Sequence, residues 1–215
     1  MIMLHMRSLG LGAAVLGAWM AAGLAVRAEE PVAADGFGIA LQGVLPPEAA
    51  ERVRAFVERH TSIATRLRAV PPVEGATLDE LSTALAAERH PEDAALVLLY
   101  ACETVFPEHT AQHPDLGVGV VNVNALTADD DEVFLRRVER LAIRTVTRIM
   151  GAPLVPNPQS ALWTYDPGSL EQLDRMGRNL DPPSLVYLQH EARRRGIPLA
   201  IDHRPRRPAV PVPQE

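Results

Sequence analysis

Between Phe37 and Leu126 the chain alternates two kinds of apolar pattern. Residues 37–45 form a short apolar run closed by Pro46-Pro47, which predicts a strand. Residues 48–60 place Ala49, Val53, Phe56 and Val57 at helical spacing, behind a Pro47 suited to a first helical position. A second strand is predicted over 62–70, then a Pro-rich loop over 71–75. Leu78, Leu81 and Leu85 share one face of a helix over 78–89. Residues 94–100 (AALVLLY) are continuously apolar, as a central parallel strand buried on both faces requires. Residues 117–126 read as the next strand, with Asn122 and Asn124 on one face and Val121, Val123 and Ala125 on the other. This order predicts an α/β fold: a small, mostly parallel, twisted sheet with flanking helices.

The longest amphipathic period follows. Thr127 and the acids at 129–132 make a capped, negatively charged helix start. Over 130–150, Phe134, Val138, Leu141, Ala142, Val146 and Ile149 form one apolar face. Arg137, Arg140, Arg144 and Arg148 run beside it as a stripe. Like charges at i,i+4 cost a few tenths of a kcal/mol each. The stripe therefore calls for solvent, internal partners or an anionic ligand. Beyond it the chain predicts a helical C-terminal subregion: a short helix over 170–176 ended by Gly177, then a helix over 184–195 with Ser184 as cap and Gly196 as stop. Residues 205–215 are Pro-rich and predict an extended tail.

Composition changes the picture in three places. Residues 9–26 carry no charge and follow Arg7, and Val26-Arg27-Ala28 offers a signal-peptidase pattern. The expected organisation is a signal peptide (1–28), a short linker (29–35), one domain (36–196) and a Pro-rich tail (197–215). Export to the periplasm or the extracellular space follows, without stable membrane insertion after cleavage. The alternative is an uncleaved N-terminal anchor. All 21 basic residues are Arg, and the net charge of −6 argues against nucleic-acid binding. Cys102 is the only cysteine, which excludes an intrachain disulfide, and its place beside a buried strand suits a small core residue. His109 and His113 are four apart, but Pro107 and Pro114 bracket them, so exposed loop histidines are expected in place of metal ligands. His60, His90, His190 and His203 show no ligand spacing, and no phosphate loop or nucleophile elbow is present.

The stretch from Arg140 to Ser184 holds a helix, Gly151, the Pro156-Asn157-Pro158 turn, Leu173-Asp174, Gly177-Arg178 and a second Pro turn. This order resembles the zinc segment of the archaemetzincins, a family of metzincin metallopeptidases whose helix carries the extended zincin motif. The resemblance covers about Gly36 to Leu188. It implies a metzincin-like fold, and it places the first two zinc-ligand His positions on Arg144 and Arg148 and the third on Leu154. The general-base Glu falls on Thr145 and the following Met on Leu162. Four Cys positions fall on Val155, Ser160, Asp181 and Ser184. Turn and packing positions are kept, while each position that would hold zinc or move a proton is changed. Guanidinium offers no lone pair to a cation and Thr is no general base at ordinary pH. No cofactor is expected, and Val155, Leu162, Trp163 and Tyr165 are expected to hold the turns by packing.

The first functional reading is therefore an exported pseudopeptidase without catalytic zinc, not an enzyme, acting as a binding or scaffold protein. Its candidate ligand-binding residues are Arg140, Arg144, Arg148 and Trp163 in the relict cleft, with a peptide or acidic ligand as partner. A second reading is a hydrolase using Asp166, Glu171 or His109. A third is an interaction protein that works through its surface.

Overall fold

Five strands form one sheet in the order β2-β1-β3-β5-β4 in the computed structural model, which describes residues 33–200 apart from 44, 103 and 105. The segment read as a signal, the first part of the linker and the tail from 201 lie outside the described residues. Strands β1 (Gly36–Gly43), β2 (Thr65–Arg68), β3 (Asp93–Ala101) and β5 (Val118–Asn122) are parallel, and β4 (Thr110–His113) pairs antiparallel at the edge. The α/β expectation is met, with β3 central and its residues 93–100 buried.

The two-residue period of β3 sorts the core into two layers. Ala95, Val97 and Leu99 join Phe37 and Ile39 of β1 against α1 (Pro47–Thr61) and α3 (Asp131–Ile149). Leu96, Leu98 and Tyr100 face the other way, with Val118 and Val120, against α2 (Leu78–Leu85). Two short helices, α4 (Leu170–Arg175) and α5 (Pro182–Arg194), complete the C-terminal subregion. Among the described residues no helix is long and apolar enough to cross a membrane.

Several boundaries differ from expectation, each for a local reason. The run over 117–126 is a strand only to Asn122 and then a 3-10 turn, Val123–Leu126. Asn122 ends the ladder because its buried amide donates to the carbonyls of Phe106 (2.9 Å) and Glu108 (3.0 Å). Val123 and Leu126, three apart, are the buried residues of that turn, so the alternating-face assignment fails there. The same tether brings the 106–109 loop onto the sheet: His109 is buried at 2% exposure and its carbonyl accepts from Asn122 N at 2.9 Å. His109 and His113 are thus not exposed loop residues, since His113 closes β4 and its Nε2 lies 3.0 Å from Asp79. Strand β2 is shorter than 62–70, because Ser62 adopts φ 62° to end α1. Helix α2 tightens into a 3-10 turn over Ala86–Glu88.

Helix α5 starts before Ser184. Asp181 is its N-cap and Pro182 and Pro183 fill its first turn, where no amide donor is needed. Gly177 is not the C-cap of α4, a place taken by Met176. A Cβ at Gly177 would stand 1.8 Å from the carbonyl oxygen of Gln159, so glycine serves a close crossing of two chain segments.

Candidate functional site

Helix α3 begins at Asp130, not Thr127: the Asp130 carboxylate accepts from Glu132 N at 2.7 Å. Asp131 and Glu132 then lie at the positive end of the helix dipole. Val138, Leu141, Ala142, Val146 and Ile149 are buried as predicted. Thr145, at the position of the general base in the resemblance, is fully buried beneath the sheet. A Cβ on Gly119 of β5 would come within 2.6 Å of its methyl carbon, so the bare glycine lets the helix settle there. The Thr145 hydroxyl has no hydrogen-bond partner among the described residues. The helix stops at Gly151, with φ 90°, whose amide donates to Arg148 O while Ala152 N donates to Thr147 O.

The arginine stripe turns inward. Arg137, Arg140 and Arg144 are each more than 90% buried, while Arg148 is half-buried. Arg137 meets Asp174 through Nε (2.9 Å) and Nη2 (2.7 Å), and its Nη1 donates to the carbonyls of Leu126 and Thr127. That paired fork holds the Asp174 carboxyl below the usual carboxylate range. Arg140 donates to the Asp174 carbonyl at 3.2 Å, and its Nε has no partner among the described residues. Arg144 donates through Nη1 to the carbonyls of Trp163 (2.7 Å) and Ala161 (3.3 Å) and lies 4.9 Å above the Tyr165 ring. Arg148 donates to the carbonyl of Ala152 at 2.5 Å. Burial pushes the Arg140 and Arg144 guanidinium pKa values down. Three elements thus hang on α3: the turn before it, the 161–165 segment and α4.

The turns that follow are held by hydrogen bonds as well as packing. Leu162 is fully buried and Tyr165 nearly so, and Val155 and Trp163 are half-buried against the same core. Val155 and Trp163 form a β-bridge, and Ser160 bridges to Asn179. Ser160 Oγ donates to Asp181 Oδ1 at 2.6 Å. Burial raises the Asp181 carboxyl pKa, but hydrogen bonds from Ser160 and Ser184 outweigh that and hold it below its ordinary value. Three of the four positions matched to Cys in the resemblance therefore still converge, as a hydroxyl–carboxylate–hydroxyl cluster.

Beneath this segment lies a buried polar pair. His109 Nδ1 is 3.3 Å from the Tyr165 hydroxyl, and the two rings stack with centroids 6.2 Å apart. Burial pushes Tyr165 up to about 12 and holds His109 below its ordinary value, so both are neutral near pH 7. Asp166 and Glu171 are exposed: Asp166 accepts from Gly168 N and Glu171 pairs with Arg175 at 2.6 Å. No hydrogen bond joins His109, Asp166 and Glu171 to one another. Sequence reading missed the His109–Tyr165 pair and the Arg137–Asp174 clamp. The matched Leu173-Asp174 was the available signal for the clamp, since an acid near a stripe of four Arg residues is its natural partner.

The residues present do not fit a zinc ion. Leu154 is 39% exposed and has no donor atom, two matched positions present guanidinium, and the Ser160–Asp181–Ser184 cluster holds one anionic ligand. Among the described residues no group of three or more His, Cys, Asp or Glu side chains could hold a metal ion.

No family model matches the chain, and no curated protein matches it. Solved structures do. An archaemetzincin from Methanopyrus kandleri superposes with TM-score 0.62 at 16% identity, over 74% of this chain and 96% of that one. A zinc-dependent peptidase from Methanocorpusculum labreanum gives 0.59 at 15%, over 71% and 100%. The archaemetzincin from Archaeoglobus fulgidus, solved with malonate, gives 0.54 at 12%, over 70% and 98%. The fold is archaemetzincin-like. At these identities the likeness speaks for the fold. Within that archaemetzincin-like frame, the guanidinium contacts and the Ser160–Asp181 bond occupy the stretch where the sequence resemblance places metal ligands.

Proposed function

We propose that this protein is an exported pseudopeptidase: a zinc-free member of the archaemetzincin-like fold that acts as a binding or scaffold protein and not as an enzyme. One observation carries the reading. The guanidinium groups at the first two matched His positions donate to backbone carbonyls of the segments they would otherwise share with a metal. A positive group in that place repels a cation and offers it no lone pair. The third matched position, Leu154, adds no ligand. The test is turnover of a quenched-fluorescent peptide library by the full chain with zinc supplied. The proposal expects none; turnover abolished by a chelator overturns it.

The relict cleft remains the place for a peptide or acidic ligand, and Arg148 and Trp163 favour it because both are only half-buried. Arg140 and Arg144 support that site from beneath. Replacing Arg148 and Trp163 by Ala removes ligand capture if the cleft is used, and leaves it unchanged if another surface is. Export is checked by fractionating cells that express the full chain and sequencing the mature N-terminus, expected after Ala28.

A further inference from the structure

Glu139 precedes Arg144 by five residues, which places it about 140° around α3 from the stripe. A separate cleft of about 610 Å³ opens there, between α1, α3 and the turn after α4. Glu139 is 2% exposed and receives Arg52 Nε at 2.9 Å and the Arg178 guanidinium. Arg52 also forks onto both oxygens of Glu132, at 2.6 and 2.8 Å. Glu132 also accepts from Arg136 Nε at 2.8 Å, so three guanidiniums share two carboxylates.

Arg59 stands outside this network. It lines the same cleft, is exposed, and among the described residues has neither hydrogen-bond nor ion-pair partner. Arg178 is held by Glu139, and its buried Nε has no acceptor among the described residues. Beside them, Phe56 and Ala55 give the cleft an apolar wall, with the Phe56 ring 5.1 Å beneath the Arg178 guanidinium and 4.2 Å from the His60 ring. Burial and the neighbouring Arg59 and Arg178 keep His60 below its ordinary pKa, so it adds no charge near pH 7. The cleft thus carries uncompensated positive charge next to an apolar surface, in a protein of net charge −6.

We propose that this cleft binds a carboxylate attached to an apolar group, either a free small organic acid or the C-terminal end of a peptide. The exposed planar guanidinium of Arg59 matches a carboxylate, and the surplus positive charge of the cleft favours an anion. The apolar group rests against Phe56 and Ala55. This site is independent of the zinc-free reading of the relict cleft, and either can fail without the other.

The test is an NMR titration of the full chain with phenylacetate, N-acetylphenylalanine and N-acetylphenylalanine amide, following His60 and the Asn179 side chain. The acids are expected to shift these signals, with the amide about tenfold weaker or worse, the loss of one charge-assisted hydrogen bond. R59Q is expected to weaken the acids similarly without changing the fold, and R175Q, outside the cleft, to leave them unchanged. A response to phenylacetate alone makes the ligand a free acid, and to N-acetylphenylalanine alone a peptide end. Equal response to acid and amide, full binding by R59Q, or no shift at His60 and Asn179 overturns the proposal.

Discussion

Replacing Arg144 by Met keeps most of the apolar stem and removes the guanidinium. Four contacts go with it: the 2.7 Å bond to Trp163 O, the longer bond to Ala161 O, a weak 3.9 Å contact with Met176 Sδ, and the ring contact with Tyr165. A hydrogen bond from a charged donor contributes about 1.5–3 kcal/mol. The ring contact adds about 0.5–2 kcal/mol. Opposing these is relief from burying a charge that is more than 90% enclosed, whose cost shows in the depressed pKa of Arg144. The two carbonyls lose their donor, so the net loss is about 2–4 kcal/mol. For a chain of this length that lowers Tm by about 5–15 °C. Urea titration followed by tryptophan fluorescence reads it directly, because Trp163 sits at the affected segment. R144K is expected to lose nearly as much, since an ammonium cannot serve two carbonyls and a ring face in the same geometry. A loss below about 1 kcal/mol for R144M refutes the idea that this guanidinium fastens the segment.

Other positions test neighbouring parts of the account. T145V removes a buried hydroxyl that has no partner and is expected to be neutral or to stabilise by about 1 kcal/mol in the same titration; a large loss would mean that the hydroxyl is used. G177A places a Cβ 1.8 Å from Gln159 O, so thermal melting should show a cost at or above the upper end of the ~1–3 kcal/mol typical of overpacking. Acid stability follows from carboxyls whose folded pKa is depressed by hydrogen bonds from Arg side chains: Asp174 lies below its ordinary value beside Arg137, while Glu132 and Glu191 are both held at about 2. Such groups contribute stability above their unfolded values and lose it as pH falls through the folded ones. Unfolding free energy should therefore be level above about pH 5 and fall from there toward pH 2, and D174N should flatten part of that slope.

The helices and the central strands were legible because each carries a clean period over enough residues. Val97 and Leu99 against Leu96 and Leu98 needed only alternation, and Leu78, Leu81 and Leu85 only helical spacing. The archaemetzincin-like fold was legible through the resemblance over Gly151 to Gly177, and the superposed structures bear out that fold. What escaped was set by tertiary contacts. Asn122 ends β5 because its side chain reaches 14 and 16 residues back, and no local pattern announces that. His109 is buried by the same tether, although its own neighbours, Pro107 and Glu108, read as a surface loop. Within the site, the stripe was visible but its partners were not. Six of the acceptors are backbone carbonyls, at Leu126, Thr127, Ala152, Ala161, Trp163 and Asp174, a group that every residue possesses. Only Asp174 was marked by its charge.

We propose that guanidinium bonds tie the C-terminal subregion to α3, that the Ser160–Asp181 contact braces it from within, and that no metal does either. This is tested most directly by elemental analysis of the full chain, purified without chelators or a histidine tag, with melting recorded before and after adding zinc and then EDTA. The account predicts zinc far below one equivalent and a Tm that neither addition moves. One tightly held equivalent, with a Tm that drops on chelation, would contradict it.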